Sequence, residues 1–181
     1  MGGLGLHSLK DNNALLSKWG WRFKTKRDNL WVGVINALHS SGSDWDFVPQ
    51  TKSLSGVWCN IVASIKRPFL VGSSICNLFK GAVGRGDNIM FWLDPWLGDV
   101  PLKLKFPSSF KLELFKSCSV RDRLEGDGLW RWRHELDSSS ERLEWDSLIA
   151  YLGSVTLSDN PDRWLWVGNG SADFSVEETL T

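Results

Sequence analysis

The sequence is poor in the residues that staple a chain, hold a metal or cross a membrane. Its 181 residues include three cysteines, two methionines, one tyrosine and six prolines. Cys59, Cys76 and Cys118 are odd in number and widely spaced, and no Cys-x-x-Cys or His-x-x-x-His pair exists. Neither a disulfide framework nor a zinc site is therefore encoded, and buried, reduced thiols are expected. The longest apolar runs, such as Ile89-Met90-Phe91-Trp92-Leu93, fall far short of the roughly 20 residues of a membrane helix. Residues 1–9 lack the basic start and apolar centre of a secretory signal, and Leu6 stands where a myristoylation signal needs Ser or Thr. These absences point to a cytosolic or nuclear setting and to no membrane partner.

What is abundant is tryptophan, with 12 residues. Hydrophobic residues make up 42% and charged residues 23%, as in a folded soluble domain. Charge is balanced overall but not along the chain. Residues 1–90 carry a net +6 and residues 91–181 a net −6, so the front half is suited to polyanions and the back half repels them.

Periodicity divides the chain into two segments. Over 1–79 the pattern is helical. Residues 8–26 place Leu9, Leu15, Leu16, Trp19 and Phe23 at three- and four-residue steps. Asp28 and Asn29 can cap a second helix with Leu30, Trp31, Val34, Ile35 and Leu38 on one stripe. A third helix is expected over 55–65 with Trp58, Ile61, Val62 and Ile65 on one face, limited by Pro68. Over 80–181 the pattern reads hairpin, helix, hairpin. Ala82-Val83 and Ile89 to Trp92 flank a run of turn formers from Gly84 to Asn88, the signature of a β-hairpin. Leu97 to Phe110, with Pro101 and Pro107, is expected to cross irregularly. Ser138 and Glu141 have capping-box spacing ahead of a helix to Leu152, with Leu143, Leu148, Ile149 and Leu152 able to share a face. A last hairpin joins Arg163 to Val167 with Phe174 to Val176 across Gly168-Asn169-Gly170. The expected class is α+β.

Catalytic chemistry finds little support. Asp87, Asp94 and Asp99 sit where turns and strand ends favour aspartate, without a further carboxylate to complete a metal cluster. His7, His39 and His134 lack a nucleophile elbow or a cysteine partner. Gly81, Gly84 and Gly86 lack the Gly-Lys-Ser/Thr order of a phosphate loop, so a tight turn is the reading. No cofactor or metal is expected. Binding is better supported: Lys18, Arg22, Lys24, Lys26 and Arg27 surround Trp19 and Trp21, and Lys80 and Arg85 lie by the first hairpin. Positive charge interleaved with aromatic faces suits phosphate contact with base stacking, so RNA or DNA is the candidate partner.

The run Val83-Gly84-Arg85-Gly86-Asp87-Asn88-Ile89-Met90-Phe91-Trp92-Leu93-Asp94-Pro95-Trp96 resembles a hallmark of plant non-LTR retrotransposon polyproteins, in which a Val-Gly-Asn-Gly turn precedes Ile-x-Phe-Trp-x-Asp-x-Trp. Arg85 replaces the usual Asn, which preserves the turn if the flanking glycines take positive φ. Four further stretches agree in order: Gly2 to Gly5 with Leu15 to Arg22; Pro101-Leu102 with Phe106-Pro107; Glu144-Trp145 with Leu148; and Asp162 to Trp166 leading to Asp173 to Val176. The resemblance implies the connecting region between a reverse-transcriptase polymerase domain and its zinc-binding region. It implies a non-catalytic piece of a longer polyprotein, partnered by the polymerase domain and helping to hold template or target nucleic acid. The sequence has no paired-aspartate polymerase motif. The alternative is a relic or interaction module without activity of its own. Gly84, Gly86, Phe91, Trp92, Asp94, Trp96, Trp164 and Trp166 are read as the structural motif, with the large rings packing rather than stacking bases.

Overall fold

The computed structural model describes residues 18–26, 28–39, 48, 55–66, 68–70, 73–74, 78–125 and 130–167. The order of elements is α1 (18–25), α2 (Leu30–His39), α3 (Val57–Lys66), β1 (Pro68–Leu70), β2 (Ser73–Ser74), β3 (Phe79–Ala82), α4 (Leu102–Lys105), α5 (Pro107–Leu112), α6 (Val120–Leu124), α7 (Ser139–Leu152) and β4 (Arg163–Trp166). The fold is α+β. Antiparallel β1 and β2 pair Pro68 with Ser74 and Leu70 with Ser73 around an irregularity, and β3 pairs with β4. Two compact units result, Met1–Phe79 with Trp164–Thr181 and Lys80–Arg163, so the boundary passes through β3 and β4. Segment 80–181 of the sequence reading is thus shared between the units. Among the described residues, no helix is long and apolar enough to cross a membrane.

The first unit is built on aromatic rings. Phe23 of α1 lies 5.0 Å from Trp58 of α3 and 6.0 Å from Trp31 of α2, ring centre to ring centre. Trp21 stacks on Phe79 at 5.5 Å, and Trp166 meets Phe79 edge-on at 5.3 Å. These offset and edge-on geometries match the ring quadrupoles. In α3, Trp58, Ile61, Val62 and Ile65 are buried together, as the spacing predicts. The helix stops at Lys66 and Pro68, which has no amide to continue a helical ladder, opens β1. Two stripes differ from expectation. Trp19 is exposed, and in α2 it is Trp31, Val32, Ile35 and His39 that turn inward while Leu30, Val34 and Leu38 face solvent. Either rotation of α2 buries an apolar arc, so the rings of Phe23 and Trp58, not the periodicity, fix which one is covered.

The second unit encloses Ile89, Phe91, Trp92, Trp96, Leu102, Phe106, Val120, Leu148 and Leu152. Here the first expected hairpin is not formed. Residues 84–89 bend, Met90 makes an isolated bridge to Ser119, and residues 91–93 turn so that the Asp94 amide donates to the Met90 carbonyl at 3.2 Å. Asp94, buried, accepts from the Met90 amide at 2.7 Å, and Trp96 Nε1 donates to the Phe91 carbonyl at 2.8 Å. Ile89, Phe91 and Trp92 are all buried, whereas a half-covered strand buries alternate residues. The strand that pairs with β3 comes instead from Arg163–Trp166. The second expected hairpin is half visible: Trp164 and Trp166 are buried on β4, and 168–181 lies outside the described residues.

Residues 97–110 are not an irregular crossing. Pro101 precedes α4 and Pro107 occupies the first turn of α5, since a proline lacks only an amide that the first turn leaves unpaired anyway. In α7 the capping box forms: the Glu141 amide donates to Ser138 Oγ at 3.2 Å and the Ser138 amide to Glu141 Oε2 at 3.2 Å. The covered face holds Leu148 and Leu152, with Trp145 and Tyr151 packed beside them, while Leu143 and Ile149 stay exposed. The width of the two tryptophan and tyrosine rings decides that face.

Candidate nucleic-acid interface

The candidate cations are distributed over both units and differ in availability. On α1, Arg22 lies over the Trp19 ring at 5.4 Å, both side chains exposed. This is the basic-aromatic pair the sequence suggested. Lys18 is half-buried and Lys26 exposed, while Arg27 lies outside the described residues. Lys24 departs from the expectation: it is only 4% exposed, with its ammonium 5.3 Å from the Trp164 ring centre. It follows Phe23 on the covered arc of α1 and its ammonium is covered beside an aromatic ring, so it is not presented to a phosphate. In the second unit Lys80 is half-buried and Arg85 exposed. Arg85 Nε lies 3.4 Å from Asp87 Oδ2, and Asp87 Oδ1 accepts from Arg121 Nη1 at 2.6 Å. Arg121 also holds Glu125, and these contacts push its pKa up, the Glu125 hydrogen bond most.

The glycine loop binds a carboxylate from its own chain. The amides of Gly84, Gly86 and Asn88 donate to Asp162 at 2.7, 2.8 and 2.7 Å, the first two to Oδ1 and the third to Oδ2. The Arg85 amide donates to the Asn160 carbonyl at 2.8 Å and the Arg121 amide to the Gly86 carbonyl at 3.0 Å. Gly86 takes φ +79°, whereas Gly84 is required for close approach, since a Cβ there would collide with the Asn160 carbonyl. Arg85 is accommodated with one positive-φ glycine, not two. The loop is thus an anion-binding concavity of amides, filled by Asp162. The aspartate's role was not read from the sequence; the signal available was its place at the start of a motif stretch whose following residues form a strand.

A second pair of motif stretches also meets. Glu144 Oε1 of α7 accepts the Ser109 amide at 2.7 Å, satisfying a first-turn donor of α5, just after Phe106-Pro107. Below it, Glu113 and Arg123 form a buried ion pair at 2.7 Å, with Glu113 0% exposed. The Arg123 guanidinium lies 4.1 Å from the Trp130 ring centre, and Trp130 is 4.5 Å from Trp145, edge to face. Cys118 sits beside this pair, 3.4 Å from Arg123 Nη2; burial pushes its thiol pKa up, against the pull of Arg123.

The likeness to a known protein is partial. The chain is 32% identical over 106 residues to an Arabidopsis thaliana protein named "Putative ribonuclease H protein". The matched region covers 56% of this chain and 16% of that protein. No family model and no solved structure matches the chain.

Asp99 is exposed, His134 is exposed with Nδ1 2.7 Å from the Glu135 carbonyl oxygen, and His39 is buried near the Trp58 ring. His7 and Cys76 lie outside the described residues, and Cys59 is half-buried. The described residues thus bring the motif carboxylates onto backbone amides and a guanidinium, and the motif tryptophans into two cores.

Proposed function

We propose that this chain is a non-catalytic accessory segment of a retrotransposon reverse-transcriptase polyprotein, the connecting region after the polymerase domain, and that it helps hold template or target nucleic acid. The observation that carries the reading is the pairing of motif stretches within the second unit. Residues 84–88 are closed by Asp162, and the start of α5 by Glu144. Residues whose carboxylates are committed to backbone amides at such distances build a scaffold rather than move protons. The similarity to a protein named for ribonuclease H, an enzyme class that works on nucleic acid, supports the same setting. Arg22 beside Trp19, with Lys26 just past the end of the same helix, supplies the phosphate and base contacts of the first unit.

Fluorescence anisotropy of the full chain with labelled oligoribonucleotide, over a range of salt, tests this. Affinity falling steeply with salt is expected, with a shallower slope when Arg22, Lys26 and Arg27 become Ala. Absence of binding at low salt would overturn the proposal. A second reading, an interaction module that is covered by the polymerase domain, is favoured by one feature: Leu30, Val34 and Leu38 leave an apolar stripe of α2 in solvent. Self-association that disappears when Leu30 and Val34 become Gln would support it.

A further inference from the structure

The strip Trp130-Arg131-Trp132-Arg133 lies in the acidic half of the chain, where net charge hides it. In the structure it runs antiparallel to the end of α5. The Leu114 amide donates to the Arg131 carbonyl at 2.8 Å and the Arg133 amide to the Leu112 carbonyl at 3.0 Å, about a Glu113–Trp132 bridge. Alternation then sorts the side chains. Glu113 and Trp132 share the inner side, Glu113 on Arg123 and Trp132 stacked on Trp130 at 5.4 Å. Arg131, Arg133 and Leu114 share the outer side, all exposed. The two guanidinium groups stand two residues apart on one face, about 7 Å along the strip. Neither forms an ion pair among the described residues, in contrast to Arg85, Arg121 and Arg123.

Exposed apolar residues follow Glu113 directly in the chain. Phe115 is 49% exposed and Leu114 55%. Lys116 donates to the Lys111 carbonyl at 3.3 Å and to the Glu113 carbonyl, and Lys111, just before Leu112 in the chain, is exposed. Arg133 is close enough to act on Lys116, whose pKa is lowered by burial first and by Arg133 next. The one carboxylate within the hairpin-like pair, Glu113, is turned inward and neutralised. Glu135 and Asp137 bound the strip on its C-terminal side.

We propose that this face is a second contact surface for single-stranded nucleic acid, with Arg131, Arg133 and Lys111 on phosphates and the Phe115 ring under a base. The inference rests on the nucleic-acid reading above and goes beyond it in place, because it assigns binding to the acidic half. Cations without an ion pair among the described residues give the charge complementarity, and an exposed ring favours a single strand, whose base faces are open, over a duplex.

The test uses the full chain, a fluorescein-labelled oligouridylate and a duplex of equal length, with the double variant Arg131→Gln/Arg133→Gln, Phe115→Ala, and Arg163→Gln as an exposed control. Near-UV circular dichroism checks that each variant keeps the native tryptophan environment. The double variant is expected to lower the slope of log affinity on log salt by about 1.4, from ~0.7 per phosphate contact on a single strand. Phe115→Ala should weaken oligouridylate binding roughly five-fold or more and duplex binding less, and Arg163→Gln should change neither. Binding by the wild type with an unchanged slope in the double variant would overturn this inference and leave the broader reading standing. No binding by the wild type would remove both. Competition by poly-glutamate as strong as by unlabelled oligouridylate would show a general anion surface and also overturn it.

Discussion

Replacing Asp162 probes the most specific contact in the second unit. Its carboxylate accepts from Gly84, Gly86 and Asn88 at 2.7 to 2.8 Å. Gly84 and Gly86 are buried and Asn88 is exposed, so only two of the three donors would be stranded by Asp162→Ala. A buried donor left without an acceptor costs about 1–3 kcal/mol, and the loop is shallow enough for water to recover part of that. A loss of about 2–4 kcal/mol is expected on that basis. For a unit of this size it corresponds to a fall in Tm of roughly 8 °C or more. Asp162→Asn keeps one acceptor oxygen for Gly84 and Gly86 but turns an NH2 toward the Asn88 amide, so an intermediate loss of about 1–2 kcal/mol is expected. Thermal melts followed by near-UV circular dichroism give the order, and hydrogen exchange gives the location: the Gly84 and Gly86 amides should lose protection first. An alanine variant that melts within about 2 °C of the wild type, well below the scale set by the lost acceptors, would refute the reasoning. So would unchanged exchange at these amides.

Other expectations follow from the same geometry. Glu113→Gln should destabilise the chain by about 3–5 kcal/mol, as removal of one member of a buried pair does, and Glu113→Leu combined with Arg123→Met should recover much of it in urea titrations. Gly86→Ala forces a side chain to φ +79° with its Cβ 2.8 Å from the Arg121 amide nitrogen; a loss of at least about 1–3 kcal/mol is expected in the same titrations. Cys118, buried and with its pKa raised above the ordinary 9.0, should react with iodoacetamide far more slowly than half-buried Cys59, read by peptide mass spectrometry. Glu141 has its pKa lowered from the ordinary 4.5, first by the hydrogen bond from the Ser138 amide. A carboxylate with a lowered folded pKa contributes stability that is present above pH 4.5 and lost as pH falls through its folded value. The first turn of α7 should therefore lose amide protection on acidification below pH 4.5, and Glu141→Gln should weaken that dependence.

Local signals in the sequence survived folding where chemistry within a few residues decides the outcome. The capping box of Ser138 and Glu141 needs only its own turn, and the face of α3 has a single apolar arc. Signals that depend on a distant partner did not. Ile89 to Trp92 reads as a strand, but residues 163–166 pair with β3 instead, and Ile89, Phe91 and Trp92 turn together into the second core. Of the stripe Leu30, Trp31, Val34, Ile35 and Leu38, only Trp31 and Ile35 are covered, joined by Val32, because that arc reaches the Phe23 and Trp58 rings. Lys24 reads as a phosphate ligand until β4 lays Trp164 beside it. Arg131 and Arg133 are hidden in the sequence for the opposite reason: averaged charge over 91–181 is negative, while the local surface they share is not.

The sequence by itself determined the α+β class, the reach of α3 and α7, and the glycine turn at 84–88, because each follows from residue type and short spacing. Only the tertiary structure decided which strand pairs with β3, that Asp162 fills the amide loop, and which cations meet solvent. The Asp162 contacts, at 2.7 to 2.8 Å, join groups about 75 residues apart, and the other outcomes likewise depend on distant parts of the chain. No pattern of neighbours specifies them, since the choice lies between surfaces of similar apolarity and is made by whichever rings and acceptors the rest of the chain brings within reach.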